Sequence, residues 1–220
     1  THPPAGAPSA PPAPVAPLAR RTWLASAGAG LLVLAGCSKQ DAASAGKAPS
    51  PTSPAAPQSP PAGAARDAFD MAAPGKGFAT GELIAARLAR VFFDPQCPHC
   101  AALWQASKPL RDRVRMVWMP VAFIAPPSAT QGALLLASDD PAALMDKHEA
   151  ALAAGTGGLD VSGAAPPAEA LASVKANTEL WKRIGGGGVP HMLYRAGADG
   201  PYGAQEGQLS TEQLARVLGL

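Results

Sequence analysis

Short apolar runs alternate with longer amphipathic segments from about residue 88 to the end of the chain. The short runs have the length and the aromatic and β-branched content of buried strands. The predicted strands cover residues 91–93, 114–123, 189–195 and 202–205. Pro120 weakens the second half of the second strand, because proline cannot donate a backbone hydrogen bond to a sheet.

The segments between these strands have helical spacing of their apolar residues. The predicted helices cover residues 98–110, 128–137, 141–153, 167–184 and 211–220. Asp140 is a predicted N-cap, with Pro141 in the first turn. Capping boxes are predicted at two other helix starts, Ser128-x-x-Gln131 and Ser210-x-x-Gln213.

The resulting order is β-α-β, then a helical insertion, then β-β-α. This order predicts an α/β protein with a thioredoxin-like fold. Residues 67–220 would form it as one domain, since about 150 residues is a usual domain size.

The first part of the chain has a different composition, because 13 of its 25 prolines lie in residues 1–65. Such a Pro/Ala-rich segment cannot bury enough apolar surface to offset the entropy of ordering it. We therefore predict an unstructured prefix at residues 1–19 and a flexible tether at residues 37–66.

An export signal is predicted between these two segments, at residues 20–36. Arg20-Arg21 precedes an apolar run at residues 24–35, which is too short to span a membrane. Leu34-Ala35-Gly36-Cys37 resembles the bacterial lipobox and implies a lipid on Cys37, although a cysteine buried in an apolar helix is the structural alternative. Both Sec and twin-arginine export fit. The implied location is the periplasm, with a lipid anchor in a membrane, and Ser38 favours the outer membrane.

Charge excludes one class of partner. Removing residues 1–36 takes away two arginines and leaves 16 basic and 16 acidic residues. The only basic cluster contains Arg111, Arg113 and Arg115, which fit a solvated loop and strand edge. We therefore expect no nucleic-acid partner.

The strongest chemical signal is Cys97-Pro98-His99-Cys100, between a predicted strand and a predicted helix. The unpaired N–H groups and dipole of a helix start favour a thiolate on Cys97, and a protonated His99 favours it further. The lowered pKa would make Cys97 a nucleophile at neutral pH and would stabilise the reduced dithiol. Cys100, one turn into the helix, is placed to resolve a mixed disulfide. Cys97, His99 and Cys100 are the catalytic candidates.

Other uses of this cysteine pair fit less well. A structural zinc needs four ligands, and only the scattered His148 and His191 could add to the pair. A c-type haem needs a histidine at position 101, which is Ala101. An inert disulfide over so short a loop adds little stability. The alternative function is a tethered binding module, such as a metallochaperone, with the dithiol as a metal ligand pair.

The segment Phe92–Cys100, followed by Trp104, resembles the active-site segment of the periplasmic DsbC/DsbG thiol–disulfide proteins. Further similarity to DsbG covers Val121–His148 and Asn177–Pro190, so the resemblance spans about residues 88–220. It implies disulfide exchange with substrate proteins, no dissociable cofactor, and a membrane redox partner that recycles the dithiol.

The resemblance also implies that Val189-Pro190 is a cis-proline loop facing the cysteines. The backbone of Val189 would then pair with a substrate peptide, and Pro98, Val189 and Pro190 would form the substrate site. Two features depart from DsbG. A tether precedes the domain where DsbC and DsbG have a dimerisation domain, which implies a monomer. The Pro-His dipeptide and Val189 are those of the oxidase DsbA, so oxidation and reduction or isomerisation both stay open.

Four other residues have open roles. Asp94 would tune Cys97 electrostatically or cap the turn before Pro95. His191 would line the substrate groove or sit in a strand. His148 fits a solvated helix position, and Trp104 fits the core or the groove wall.

Overall fold

The computed structural model describes residues 62–220. The predictions for the prefix, the signal, Cys37 and the tether up to residue 61 lie outside the described residues. Among residues 62–220, none of the helices combines the length and the apolar character needed to cross a membrane.

A five-stranded mixed sheet forms the centre of the domain, with the strand order β1-β3-β2-β4-β5. The strands are β1 (Phe78–Thr80), β2 (Leu88–Phe93), β3 (Arg115–Pro120), β4 (His191–Arg195) and β5 (Tyr202–Glu206). Strands β2 and β3 are parallel, with Val91 beside Trp118, and the other neighbouring pairs are antiparallel. The carboxyl ends of β2 and β3 therefore meet at one edge, which is where the two-cysteine motif follows β2.

Six α-helices surround this sheet in residues 62–220. They are α1 (Ala62–Met71), α2 (Pro98–Ser107), α3 (Ser128–Ala137), α4 (Pro141–Ala153), α5 (Ala168–Arg183) and α6 (Thr211–Val217), and a 3₁₀ turn (Lys108–Leu110) extends α2. The predicted bounds of α3 and α4 are confirmed, and the order β-α-β, helical insertion, β-β-α is confirmed as well. Strand β3 ends at Pro120, so the prediction that this strand reaches residue 123 was wrong.

Two elements were not predicted. Helix α1 packs against β5, with the Phe69 and Tyr202 rings 5.2 Å apart and edge to face. Its first residue, Ala62, precedes the predicted domain start at residue 67. Strand β1 pairs with β3 through only three residues, with Phe78 opposite Trp118.

Adjacent residues of β2 point to opposite faces of the sheet and belong to two separate cores. Phe93 packs on one face in the cluster that contains both cysteines, Trp104 and Trp118. Phe92 packs on the other face with Met119 and Trp181. The strand that leads into the cysteine motif is thus held from both sides.

Three predictions about individual side chains were wrong. His148 is completely buried, not solvated. Ser128 caps nothing in α3: its hydroxyl donates to Asp94, and Gln131 bonds to Gln96 and to the backbone at residues 157 and 159. Arg111 lies with its guanidinium 4.5 Å from the Trp104 ring instead of in solvent. The predicted Ser210 capping box and the Asp140 N-cap are confirmed.

Candidate active site

The cysteine motif lies at the junction of β2 and α2. The backbone carbonyl of Asp94 accepts the N–H of Cys97 at 2.9 Å, which closes a tight turn after the strand. Cys97 is the N-cap of α2, and Pro98 occupies the first turn, where its missing N–H has no intrahelical partner to lose. Cys97 therefore sits where the N–H groups of the helix start converge.

The two sulfur atoms differ sharply in acidity. Cys97 and Cys100 are not joined by a disulfide, and the residues are 4% and 1% exposed respectively. A hydrogen bond from the Cys100 thiol is the largest cause that lowers the pKa of Cys97, to about 6, and the N–H groups of Cys100 and His99 and the charge of His99 add to it against the cost of burial. Burial raises the pKa of Cys100 well above its usual value. At neutral pH the pair therefore holds one thiolate and one thiol.

His99 is exposed, and its ring faces the segment after β5. Its Nδ1 lies 2.9 Å from Oε1 of Gln208. Because an amide oxygen can only accept, Nδ1 carries a proton in this arrangement. His99 acts on Cys97 through its backbone N–H and its charge.

The side chain of Asp94 stabilises the turn between β2 and Cys97. Its carboxylate is fully buried and accepts four hydrogen bonds. Oδ1 accepts the N–H of Gln96 at 2.9 Å and the hydroxyl of Ser128 at 2.6 Å. Oδ2 accepts the N–H groups of Phe123 and Ile124 at 2.9 and 3.0 Å. Asp94 thus caps its own turn and ties it to the segment that follows β3.

The opposite wall of the site is the loop before β4. The Val189–Pro190 peptide bond is cis, as the resemblance implies. When Cys97 is protonated, its thiol donates to the carbonyl oxygen of Val189 at 3.5 Å. Val189 is half-buried and packs against the cores on both faces of the sheet. The structure therefore brings Cys97, Cys100, Val189 and Pro190 together, with Pro98 and His99 exposed at the rim.

A buried histidine supports the turn from the helical insertion. Nδ1 of His148 accepts the N–H of Leu159 at 3.1 Å, so Nε2 carries the proton and donates to the carbonyl of Pro95 at 2.7 Å. Burial lowers the pKa of His148, which keeps this neutral tautomer at neutral pH. Gly158 has φ +84°, and a Cβ there would lie 2.4 Å from the His148 ring. Only glycine fits at that position.

Glu149 is a functional candidate that sequence reasoning missed. It is 5% exposed, and its Oε2 has no hydrogen-bond partner within residues 62–220. The pKa of Glu149 is raised to about 8, chiefly by burial and in addition by the nearby Cys97 thiolate, while Lys108 opposes the shift. The side chain is therefore largely protonated at neutral pH and adds no repulsion to the thiolate. A single Glu after a buried His carries no sequence signal that distinguishes it from a solvated acid.

The other open candidates have structural positions. Trp104 is fully buried, and its Nε1 donates to Asp146 at 2.7 Å, so its predicted place in the core is confirmed. His191 begins β4 and is buried behind Phe92, with ring centroids 6.2 Å apart. Burial lowers the pKa of His191, so it is neutral at neutral pH.

The arrangement suits thiol–disulfide chemistry. It combines the acidic Cys97 at a helix start, the buried thiol of Cys100 and the backbone of Val189 beside the Cys97 sulfur. In the part of the chain that the structure describes, no three His, Cys, Asp or Glu side chains converge as metal ligands would.

The comparisons with known proteins agree with this chemistry. No family model matches the chain. The thiol:disulfide interchange protein DsbG of Pseudomonas aeruginosa is 34% identical over 143 residues, which are 64% of this chain and 54% of DsbG. The chain thus spans about half the length of that relative.

Solved structures share the fold at low sequence identity. The catalytic domain of Proteus mirabilis ScsC matches with a TM-score of 0.54 and 18% identity, over 72% of this chain and 96% of that domain. The thiol-disulfide exchange protein α-DsbA2 of Wolbachia pipientis matches with a TM-score of 0.53 and 17% identity, over 72% of this chain and 94% of that one. These likenesses confirm the predicted thioredoxin-like fold.

Proposed function

We propose that this protein is a thiol:disulfide oxidoreductase of the bacterial cell envelope that exchanges disulfides with substrate proteins through Cys97 and Cys100. One observation carries the proposal: the pKa of Cys97 is lowered to about 6 while that of Cys100 is raised. Such an asymmetric pair has one ready nucleophile and leaving group and one protected resolving thiol. The similarity to DsbG supports the same chemistry.

In the oxidising direction, a substrate thiolate attacks Sγ of Cys97 in the Cys97–Cys100 disulfide. The old S–S bond breaks, Cys100 leaves and takes up a proton, and a mixed disulfide forms. A second substrate thiolate then attacks the substrate sulfur of that bond and releases Cys97 as a thiolate. Two electrons pass to the protein, and a membrane redox partner removes them to restore the disulfide. In the reducing direction the same steps run backwards.

The electrostatics favour the oxidising direction. Lowering the pKa of Cys97 from 9.0 to about 6 stabilises the reduced dithiol at pH 7. The gain is roughly 1–2 kcal/mol, or about 20–40 mV for a two-electron couple. Because the dithiol is more stable, the disulfide is reduced more readily and is a stronger oxidant. Catalysed oxidation of substrate thiols is therefore the proposed direction.

Substrate polypeptide would pass along Val189, whose carbonyl lies 3.5 Å from Sγ of Cys97. An extended segment there can pair with the backbone of the loop, so recognition does not depend on a particular side chain. Pro98, exposed at the start of α2, and Pro190 would flank this segment.

In the same proposal, the chain works in the periplasm, and a lipid on Cys37 anchors it to a membrane. The support is the signal-like sequence at residues 20–36 and its lipobox-like end. Metabolic labelling with a fatty acid tests the anchor. Label should enter the wild type but not Cys37→Ala, and an unlabelled wild type would refute it.

The activity is tested with purified protein in two assays. Equilibration with glutathione gives the potential of the Cys97–Cys100 couple, and refolding of a reduced, disulfide-containing protein gives the rate of oxidation. We expect a potential above that of thioredoxin, which is about −270 mV, and turnover that Cys97→Ser abolishes. A potential at or below thioredoxin's would overturn the oxidising direction, and turnover that survives Cys97→Ser would overturn the site.

A further inference from the structure

The loop that presents Val189 to Cys97 has almost no side chains of its own. Residues 185–188 are four consecutive glycines. Glycine loses more conformational freedom on ordering than any other residue, so such a loop needs outside support to keep one position. The support comes from the end of β5 and the residues that follow it.

Glu206 contacts the glycine loop directly. Its Oε1 accepts the N–H of Gly187 at 2.8 Å and that of Gly188 at 3.3 Å. A Cβ on Gly187 would lie 3.4 Å from Oε2, so the carboxylate lies against the loop backbone. Both N–H groups belong to the two residues just before Val189, and their position sets where the Val189 carbonyl points.

The next two residues extend this support to both walls of the site. The N–H of Gly207 donates to the carbonyl of Pro190 at 2.9 Å. The side chain of Gln208 accepts from His99 at 2.9 Å, on the opposite wall. The segment 206–208 therefore contacts the loop before β4 and the two-cysteine motif at the same time.

The neighbourhood of Glu206 contains one titratable group on the adjacent strand. His191 is the cross-strand partner of Glu206, and its buried Nδ1 lies 3.9 Å from Oε1 without a hydrogen bond. His191 is neutral at neutral pH and forms no ion pair with Glu206. The Glu206 carboxylate therefore accepts its hydrogen bonds from the two glycine N–H groups.

We propose that Glu206 is a positioning residue for disulfide exchange, which holds the glycine loop so that the backbone of Val189 faces Cys97 and a substrate strand can dock there. This inference rests on the proposed function. It assigns Glu206 an effect on polypeptide substrates and none on the intrinsic reactivity of the thiol, because the carboxylate contacts the loop and not the sulfur. Small thiols, which need no docking strand, should be insensitive to it.

Four proteins test this role: the wild type, Glu206→Ala, Glu206→Gln and the control Asp199→Ala. Gln keeps an oxygen that can accept the same two N–H groups. Asp199 is an exposed acid in the turn between β4 and β5, at the end of this hairpin that lies away from Glu206. We expect Glu206→Ala to lower kcat/KM for a cysteine-containing peptide about fivefold to tenfold, mainly through KM. Its reaction with glutathione and its Cys97 pKa, measured by thiolate absorbance, should match the wild type. Glu206→Gln should recover most of the loss, and Asp199→Ala should show none.

A readout independent of activity is hydrogen exchange at the Gly187 and Gly188 amides. Exchange should be slow in the wild type and in Glu206→Gln, and fast in Glu206→Ala. Equal exchange in the wild type and Glu206→Ala would overturn the support of the loop. Lost protection with unchanged peptide kinetics would overturn the positioning role. Absence of any Cys97-dependent exchange in the wild type, with glutathione or peptide, would instead overturn the proposed function.

Discussion

His148 and Pro95 are joined by a hydrogen bond of 2.7 Å that runs from a buried ring nitrogen to the carbonyl two residues before Cys97. The other ring nitrogen accepts the N–H of Leu159. A single neutral tautomer satisfies both partners, and a proton added to Nδ1 would break the second bond. The turn that carries Cys97 thus depends on the protonation state of a residue 51 positions further along the chain.

Acid should destabilise the domain through His148. The folded-state pKa of His148 lies below 6.5, so the unfolded state binds the proton more readily. Stability due to the neutral ring is therefore complete above about pH 6.5 and is lost as the pH falls through the folded-state pKa. We expect His148→Phe to have a free energy of unfolding about 2–3 kcal/mol below that of the wild type at pH 7. Urea unfolding at several pH values measures both effects, and equal pH dependence in the two proteins below pH 6.5 would argue against the role of His148.

Replacing Asp94 should loosen the turn. An asparagine offers one acceptor oxygen and places an NH₂ group against donors, so Asp94→Asn leaves buried N–H groups unpaired. We expect it to lower the free energy of unfolding by about 2–4 kcal/mol. Asp139→Asn, an exposed acid near the start of α4, is the control and should change stability by less than about 0.5 kcal/mol. An equally small effect of Asp94→Asn in urea unfolding would contradict the four hydrogen bonds assigned to it.

Glu149 should make the domain less stable in alkaline solution. Its folded-state pKa is raised to about 8, so the native state holds a proton that the unfolded state loses above pH 4.5. Stability therefore falls as the pH rises from about 4.5 to about 8. We expect Glu149→Gln to be more stable than the wild type at pH 8 and above, where the exposed-site control Glu169→Gln shows no gain. Thermal unfolding between pH 5 and pH 9 measures the difference, and a less stable Glu149→Gln at pH 9 would refute this account.

The acidity of Cys97 should depend on Cys100. Donation from the Cys100 thiol is the largest cause of the lowered pKa of Cys97. In Cys100→Ala the donor is gone, so the thiolate titration followed at 240 nm should move from about 6 toward 9. Cys100→Ser keeps an O–H donor and should stay closer to the wild type. A midpoint in Cys100→Ala that equals the wild-type value would show that the helix start alone sets the acidity.

The sequence was sufficient to predict the order of elements from residue 88 onward, because apolar runs, Pro and Gly punctuation and caps agree there. Helix α1 and strand β1 were missed for a physical reason. The ten residues of α1 have buried apolar residues at helical spacing (Ala65 and Phe69), but they directly follow a Pro/Ala-rich segment and fall in part within the predicted tether. Strand β1 has only three residues, flanked by glycines, which is too short to show a period of its own. Packing against β5 and pairing with β3 define these elements, and such contacts are not visible in local sequence.

The cysteine motif was predictable at the residue level, but its supporting residues were not. Ser128-x-x-Gln131 has the sequence of a capping box, yet Ser128 donates to Asp94, and Gln131 bonds to Gln96 and to the carbonyl of Gly157. His148 lies between Lys147 and Glu149, which reads as a solvated helix face. Hydrogen bonds to residues 26 to 53 positions away hold these side chains in place, and no local sequence pattern encodes such contacts.

The helical insertion between β3 and β4 sets a limit on how far this domain could be simplified. Ser128, Gln131 and His148 all reach from it to the turn at residues 94–96, and Asp94 accepts two N–H groups from its first residues. A shortened protein in which residues 121–184 were replaced by a linker would keep all five strands and both active cysteines. It would also remove three of the four hydrogen-bond partners of the Asp94 carboxylate, those from Phe123, Ile124 and Ser128. The smallest independently folding form of this domain should therefore include the insertion.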